Sequence, residues 1–214
     1  NKEEIRRCLE YASENNWYLE ILLGLFMGLR KGEILGLKFD DFDTISHTLT
    51  ISRQITANPL VEKGNGKVLK YRIAEKEPKT DNSYRTLRVP EAILEQVQER
   101  KKEVEEQKKK LGKDYFDRNY VSCSGNGLPH STSAFNNALT KLCKRNGFPH
   151  LTVHSLRHMY ASILLEQGVP LVKISALLGH SSIHTTFEFY CETMNDEASI
   201  RDFMNMKFVP GGEA

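Results

Sequence analysis

No stretch of this chain stays apolar for the roughly 18–20 residues a helix needs to cross a bilayer. The opening "NKEEIRRCLE" lacks the basic-then-apolar profile of a secretory signal. There is no internal repeat, no low-complexity tract and no CxxC pair. Cys8, Cys123, Cys143 and Cys191 lie far apart and read as isolated thiols of a reducing cytoplasm, not as a disulfide frame. Charge of one sign is also scarce: 30 Lys and Arg stand against 28 Asp and Glu, a net +2. The total therefore announces no nucleic acid. An anion-binding face has to be sought in local arrangement.

What is present is an ordinary globular composition, 39% hydrophobic and 27% charged over 214 residues, enough for one domain with a sizeable core or two small ones. Asn1 as N-cap with Glu4 at N3 would open a first helix. A chain that starts inside a helix and without Met reads as a piece of a longer protein. Leu19 to Leu29 is almost wholly apolar, a buried helix, and a short second helix carries Ile34, Leu35 and Leu37. From Thr48 the period changes to alternation. "TLTISRQIT", "KVLKYRIAEK" and "YRTLRVP" read as three antiparallel strands, with "ANPLVEKGNGK" as the turn between the first two.

Helices return after Pro90. The interleaved Glu and Lys of "EAILEQVQERKKEVEEQKKKLGK" mark a solvated face in preference to a nucleic-acid patch. "NYVSCS" reads as a short buried strand, and Ser131 to Asn146 as a helix. "TVHSLRHMYASILLEQG" is a helix stopping at Gly168. Pro170 opens another that Gly179 closes, and residues 182–191 and 195–206 make two more. The expected fold is mainly α with a small antiparallel sheet, α+β, a three-stranded sheet being inserted near the middle.

The chemistry-bearing residues are few. His154 and Arg157 share a helix face at i and i+3, with His158 at i+4 from His154. HxxxH spacing can hold a metal, but no third ligand is near and an arginine on the same face repels a cation. An anion is the alternative, most naturally a phosphate; Arg157 paired with a carboxylate is the competing structural reading. Arg30, at the boundary of an apolar helix, is either snorkelling or held at a site, with Glu33 one turn on to orient or merely neutralise it. His180 sits at a rigid corner after Gly179. Helix–turn–helix DNA binding accounts for the shape of "VPLVKISALLGHSSIHTTFEF", though not for its His, Arg and Tyr together. Tyr190 follows Ile183 and Phe187 at i, i+4 and i+7, so periodicity alone makes it one of an apolar packing stripe. Arg30, His154, Arg157, His180 and Tyr190 together match phosphoryl transfer to a tyrosine. About one phenol in a thousand is ionised at neutral pH, so a histidine must share its proton while arginines hold the charge on the phosphate oxygens.

"GLRKGEILGL", "HSLRHMYASILLEQG" and "LLGHSSIHTTFEFY" resemble, in order and spacing, the three signature boxes of the tyrosine recombinases, the phage integrase family. The wording is most similar to integrases of Gram-positive conjugative transposons and temperate phages. The resemblance implies that residues 1–214 are a catalytic domain lacking its N-terminal DNA-binding domains, with a sheet and hairpin insertion over 48–90 and a tail over 191–214. It implies Arg30 and Arg157 on the scissile phosphate, His154 in proton transfer, His180 on a phosphate oxygen and Tyr190 as nucleophile, giving a 3′-phosphotyrosine and a free 5′ hydroxyl. "EPKTDNSYRTLRVP" matches the family's Lys-Thr…Ser-x-Arg pattern and selects Lys79, with Lys76 three residues away, as the acid for the leaving oxygen. Glu33 and His158 match supporting positions. Lys63, Lys67, Lys70 and Arg72 on the hairpin would grip DNA, a plain surface hairpin being the alternative. No metal, cofactor or ATP is implied. The implied partners are double-stranded DNA at recombination sites, three further copies in a tetramer on a Holliday junction, and an excisionase or host DNA-bending protein, with no membrane. The tail would dock on a neighbouring protomer or on its own domain. The implied location is bacterial cytoplasm, at the nucleoid when DNA is bound. A type IB topoisomerase and a catalytically silent DNA-binding module are the rival readings.

Overall fold

The computed structural model describes residues 2–13, 16–61, 68–77 and 84–187, without the side chains of 2–5, 8, 61 and 68–71. The apolar run becomes α2 (Tyr18–Met27), preceded by α1 (Lys2–Ala12) and followed by the short α3 (Lys31–Gly36). Its neighbours bury nearly every side chain of α2, and Leu156 comes so close that a Cβ on Gly24 would lie 3.0 Å from its Cδ1. The one charge on that helix, Glu20, is buried against Arg100, whose Nη1 donates at 3.0 Å. Among the described residues no helix is long and apolar enough to cross a membrane.

The strands sort into two sheets. β1 (Phe42–Asp43), β2 (Thr48–Ile51) and β5 (Arg85–Arg88) form an antiparallel sheet in that order, with Leu49 opposite Leu87. β3 (Gln54–Val61) and β4 (Val68–Lys76) form a separate two-stranded ribbon, with Gln54 opposite Lys76. A three-stranded antiparallel sheet is thus present, but with different members from those expected. "TLTISRQIT" is broken at Ser52–Arg53, and "KVLKYRIAEK" pairs only with the second half. The break has a tertiary cause. α3 lies so close to the bend that a Cβ on Gly36 would stand 3.1 Å from Gln54 Cα, and one on Gly32 would stand 2.9 Å from the Ile55 carbonyl. Arg53, at the bend, bonds to Asp41. "NYVSCS" does not form a strand either. It is fixed by single bridges, Lys38 to Tyr120 and Cys123 to Pro129, while Val121 donates to the Leu37 carbonyl at 2.9 Å.

α4 (Glu91–Leu111) buries only Ile93, Leu94, Val97 and Val104, and ties its outer face with Glu99–Lys102 and Glu105–Lys108 pairs. α5 (Ala134–Asn146), α6 (Val153–Glu166) and α7 (Leu171–Leu178) complete the described helices of eight or more residues. Residues 183–187 are helical and end the described residues; the rest of the helix expected over 182–191, and the one expected over 195–206, lie outside them. The packing of the 183–187 turn departs from the apolar stripe expected there. Ile183 and Phe187 are 47% and 49% exposed, and the buried member of the turn is Thr186, because the turn docks through a hydroxyl on His180.

Candidate active site

Three local features turn side chains toward one place. Gly28 ends α2 at φ +62°, and a Cβ there would stand 2.3 Å from the Tyr160 ring, so both the left-handed turn and the space demand glycine. The next helix is capped by its own Glu33, which accepts from the Arg30 backbone N–H at 2.8 Å. Thr152 caps α6 by accepting from the Ser155 N–H at 3.1 Å, which fixes the turn bearing His154 and Arg157. Gly179 ends α7 at φ +65° and delivers His180 to the corner.

Arginines then knit these elements together. Arg157 is 4% exposed and donates to the Gly28 carbonyl at 2.6 Å and the Leu178 carbonyl at 2.7 Å. Arg30, about one third exposed, donates to Glu33 Oε1 at 2.9 Å and the Gly179 carbonyl at 2.7 Å. Arg85, from β5, makes a fork on both Glu33 oxygens at 3.0 Å and donates through Nε to the Leu177 carbonyl at 2.9 Å. Sequence reasoning gives Arg85 no role. Its only signal is membership of the Lys-Thr…Ser-x-Arg pattern, where it serves as a landmark for the lysine.

Arg30, Lys31, His154, Arg157, His180 and Thr185 border a cleft of about 520 Å3. A larger cleft of about 750 Å3, beside Trp17 and α5, carries Lys141 and Arg145, which no hydrogen bond orients among the described residues. The smaller cleft is where the charge converges. Two guanidiniums, Arg30 and Arg85, share the single carboxylate of Glu33 and a third, Arg157, feels its charge without pairing to it, so the surroundings are cationic and suited to an anion. Burial and then the Arg157, Arg30 and Arg85 charges push His180 down to about 4, leaving it neutral at pH 7. Burial and the same two arginines, Arg157 and Arg30, lower His154. Burial and Arg30 bring Arg157 down to about 9, still a cation at neutral pH. Burial alone would raise Glu33, but the Arg85 fork and the Arg85 and Arg30 charges hold it below the usual carboxylate value.

Of the expected site residues, the fold brings Arg30, Glu33, His154, Arg157 and His180 together. His158 stacks edge-on against the His154 ring at 4.1 Å. Among the described residues no three His, Cys, Asp or Glu gather as metal ligands would. Lys79 and Tyr190 lie outside the described residues, as do Lys63, Lys67 and the Lys70 side chain. Lys76, the other lysine of that stretch, ends β4 and donates to Asn58 Oδ1 at 3.2 Å. Arg72 is exposed on the ribbon, opposite Asn58. The base of that ribbon abuts Gly32, itself part of the cleft wall.

The profile of the phage integrase family matches residues 1–197. A tyrosine recombinase XerC-like protein of Caldanaerobacter subterraneus subsp. tengcongensis is 35% identical over 209 residues, 91% of this chain and 53% of its own. The ICEBs1 integrase of Bacillus subtilis is 26% identical over 163 residues, 76% of this chain and 41% of its own. The chain thus spans about half the length of the curated relatives it matches. Among solved structures, the Tn1549 transposon integrase in complex with transposon right end DNA has a TM-score of 0.72 at 22% identity, covering 98% of this chain and 65% of that one. XerA recombinase has a TM-score of 0.68 at 22% identity, covering 98% and 64%. These structural likenesses establish the fold.

Proposed function

We propose a function from one premise: this chain belongs to the phage integrase family, the tyrosine recombinases. The whole protein acts as a site-specific DNA recombinase of a mobile element, and residues 1–214 are its catalytic domain. The observation that carries this reading is the convergence of Arg30, Arg157, His154 and His180 on one cleft. Such a site holds a phosphodiester between two guanidiniums, which stabilise the charge that develops on the non-bridging oxygens as phosphorus becomes five-coordinate. His180 donates to one of those oxygens.

The Tyr190 oxygen attacks phosphorus, its proton passing to His154, and the bond from phosphorus to the 5′ oxygen breaks. Lys79 protonates that oxygen as it leaves. The product is a 3′-phosphotyrosine and a 5′ hydroxyl. One phosphoester replaces another, so attack by a 5′ hydroxyl from a second duplex reseals the strand at little free-energy cost. Exchange of two strands, then two more, passes through a Holliday junction in a tetramer. The tail over 191–214 docks on a neighbouring protomer or on its own domain, and Lys63, Lys67, Lys70 and Arg72 grip DNA beside the cleavage point. An excisionase or a host DNA-bending protein sets direction, and the work is done at the bacterial nucleoid.

The test uses the longer natural protein with two duplexes carrying the element's ends. Recombinant joints are expected. Relaxation of a supercoiled plasmid without exchanged joints would favour a type IB topoisomerase, and binding without strand cleavage a silent module.

A further inference from the structure

One buried hydroxyl has no place in that scheme. Thr186 is 0% exposed, and its Oγ1 lies 2.8 Å from His180 Nδ1. Among the described residues that hydroxyl has no second hydrogen-bond partner. The turn that carries it leaves its apolar side chains, Ile183 and Phe187, half exposed. The Thr186 hydroxyl meets the histidine at Nδ1.

A neutral imidazole has one N–H and one lone pair, so the contact can be made in two ways. If Nδ1 carries the proton, it donates to Oγ1, and the threonine hydrogen is buried with nothing to accept it. If Nε2 carries the proton, the threonine donates to Nδ1 and no polar hydrogen is stranded. A buried donor without an acceptor keeps its full desolvation penalty, so the second arrangement wins. His180 is neutral here because it is half buried among Arg157, Arg30 and Arg85. The choice of tautomer therefore matters. An Nδ1–H ring would turn a lone pair toward an anion in the cleft, whereas an Nε2–H ring turns a donor toward it.

We propose that Thr186 is a positioning residue that locks His180 in the Nε2–H tautomer, so that the ring presents a donor to a non-bridging oxygen of the scissile phosphodiester. The identity of that anion rests on the recombinase reading; the tautomer does not.

The test is ring-nitrogen NMR of the 15N-labelled chain at pH 7, without DNA, with His180→Gln to assign the signal. The wild type should show a protonated Nε2 and a hydrogen-bonded, unprotonated Nδ1. Thr186→Ser should keep this pattern, and Thr186→Val should shift the two nitrogens toward one another as the second tautomer appears. A protonated Nδ1 in the wild type, or an unchanged spectrum in Thr186→Val, would overturn the proposal. Should Thr186→Val not fold, the wild-type and Thr186→Ser spectra decide. On cleavable DNA, Thr186→Val should slow strand cleavage at least tenfold with binding within twofold of wild type, and Thr186→Ser should restore it. Wild-type cleavage by Thr186→Val would also overturn the proposal. If the spectra behave as expected but no variant, nor the wild type, cleaves DNA, the tautomer lock stands and the recombinase reading fails.

Discussion

At the scale of single residues, three guanidiniums hold three consecutive carbonyls: Arg85 takes Leu177, Arg157 takes Leu178 and Arg30 takes Gly179. Those are the last two carbonyls of α7 and that of its cap, Gly179, where the helix dipole is negative and intrahelical partners run out. His180 follows directly, so the same bonds that cap the helix set the histidine against the cleft. Arg85 and Glu33 are both almost fully buried, and Arg85→Met would leave the carboxylate with Arg30 as its remaining cation. Breaking a buried pair on one side costs about 3–5 kcal/mol. Urea denaturation should show a loss of that size, and adding Glu33→Gln should recover part of it by removing the stranded charge. Additive losses would contradict the coupling. His180 gives a pH signature. Its folded-state value, about 4, is below the ordinary 6.5, so the unfolded chain binds the proton more readily. Its contribution to stability is complete above about 6.5 and declines as pH falls toward 4. Thermal unfolding of wild type and His180→Gln should therefore converge across that window. A gap independent of pH would contradict the depressed value.

At the scale of elements, the turn at Gly28 joins α2, α6 and α7. Its carbonyl accepts from Arg157, and its missing Cβ leaves room for Tyr160 and Leu178. Gly28→Ala combines a left-handed backbone with a clash, and strain of this kind costs of order 1–3 kcal/mol. The melting temperature should fall while far-UV circular dichroism at low temperature stays helical. An unchanged melting temperature would show that the turn relaxes freely. This scale also separates what is legible in the sequence from what is not. α6 and α7 can be read directly because Thr152, Gly168, Pro170 and Gly179 punctuate them within a few residues. The break between β2 and β3 cannot, since it is imposed by Gly32 and Gly36 of α3 lying against the strand. Arg85 is hidden for the same reason: its carboxylate partner is 52 positions away in the chain. Arg30, His154, Arg157 and His180 are visible through the spacing of three boxes. Periodicity alone assigns the segment around Ile183 and Phe187 to packing, and it overlooks Thr186, whose partner is a polar ring.

At the scale of the whole molecule, a nearly neutral chain carries a locally cationic cleft, assembled from the loop before α3, the first turn of α6 and the corner after α7. Only the folded chain brings these segments together, which is why the overall charge conceals the site. Under the proposed function, that cleft seats a phosphodiester under attack by Tyr190. The direct measurement is covalent trapping on a duplex of the element's end, nicked just 3′ of the cleavage point so that the released fragment diffuses away. With EDTA present, the natural protein should give a protein–DNA band on a denaturing gel, and Tyr190→Phe should abolish it. A band that survives the substitution would contradict the assignment of the nucleophile, and with it the central claim.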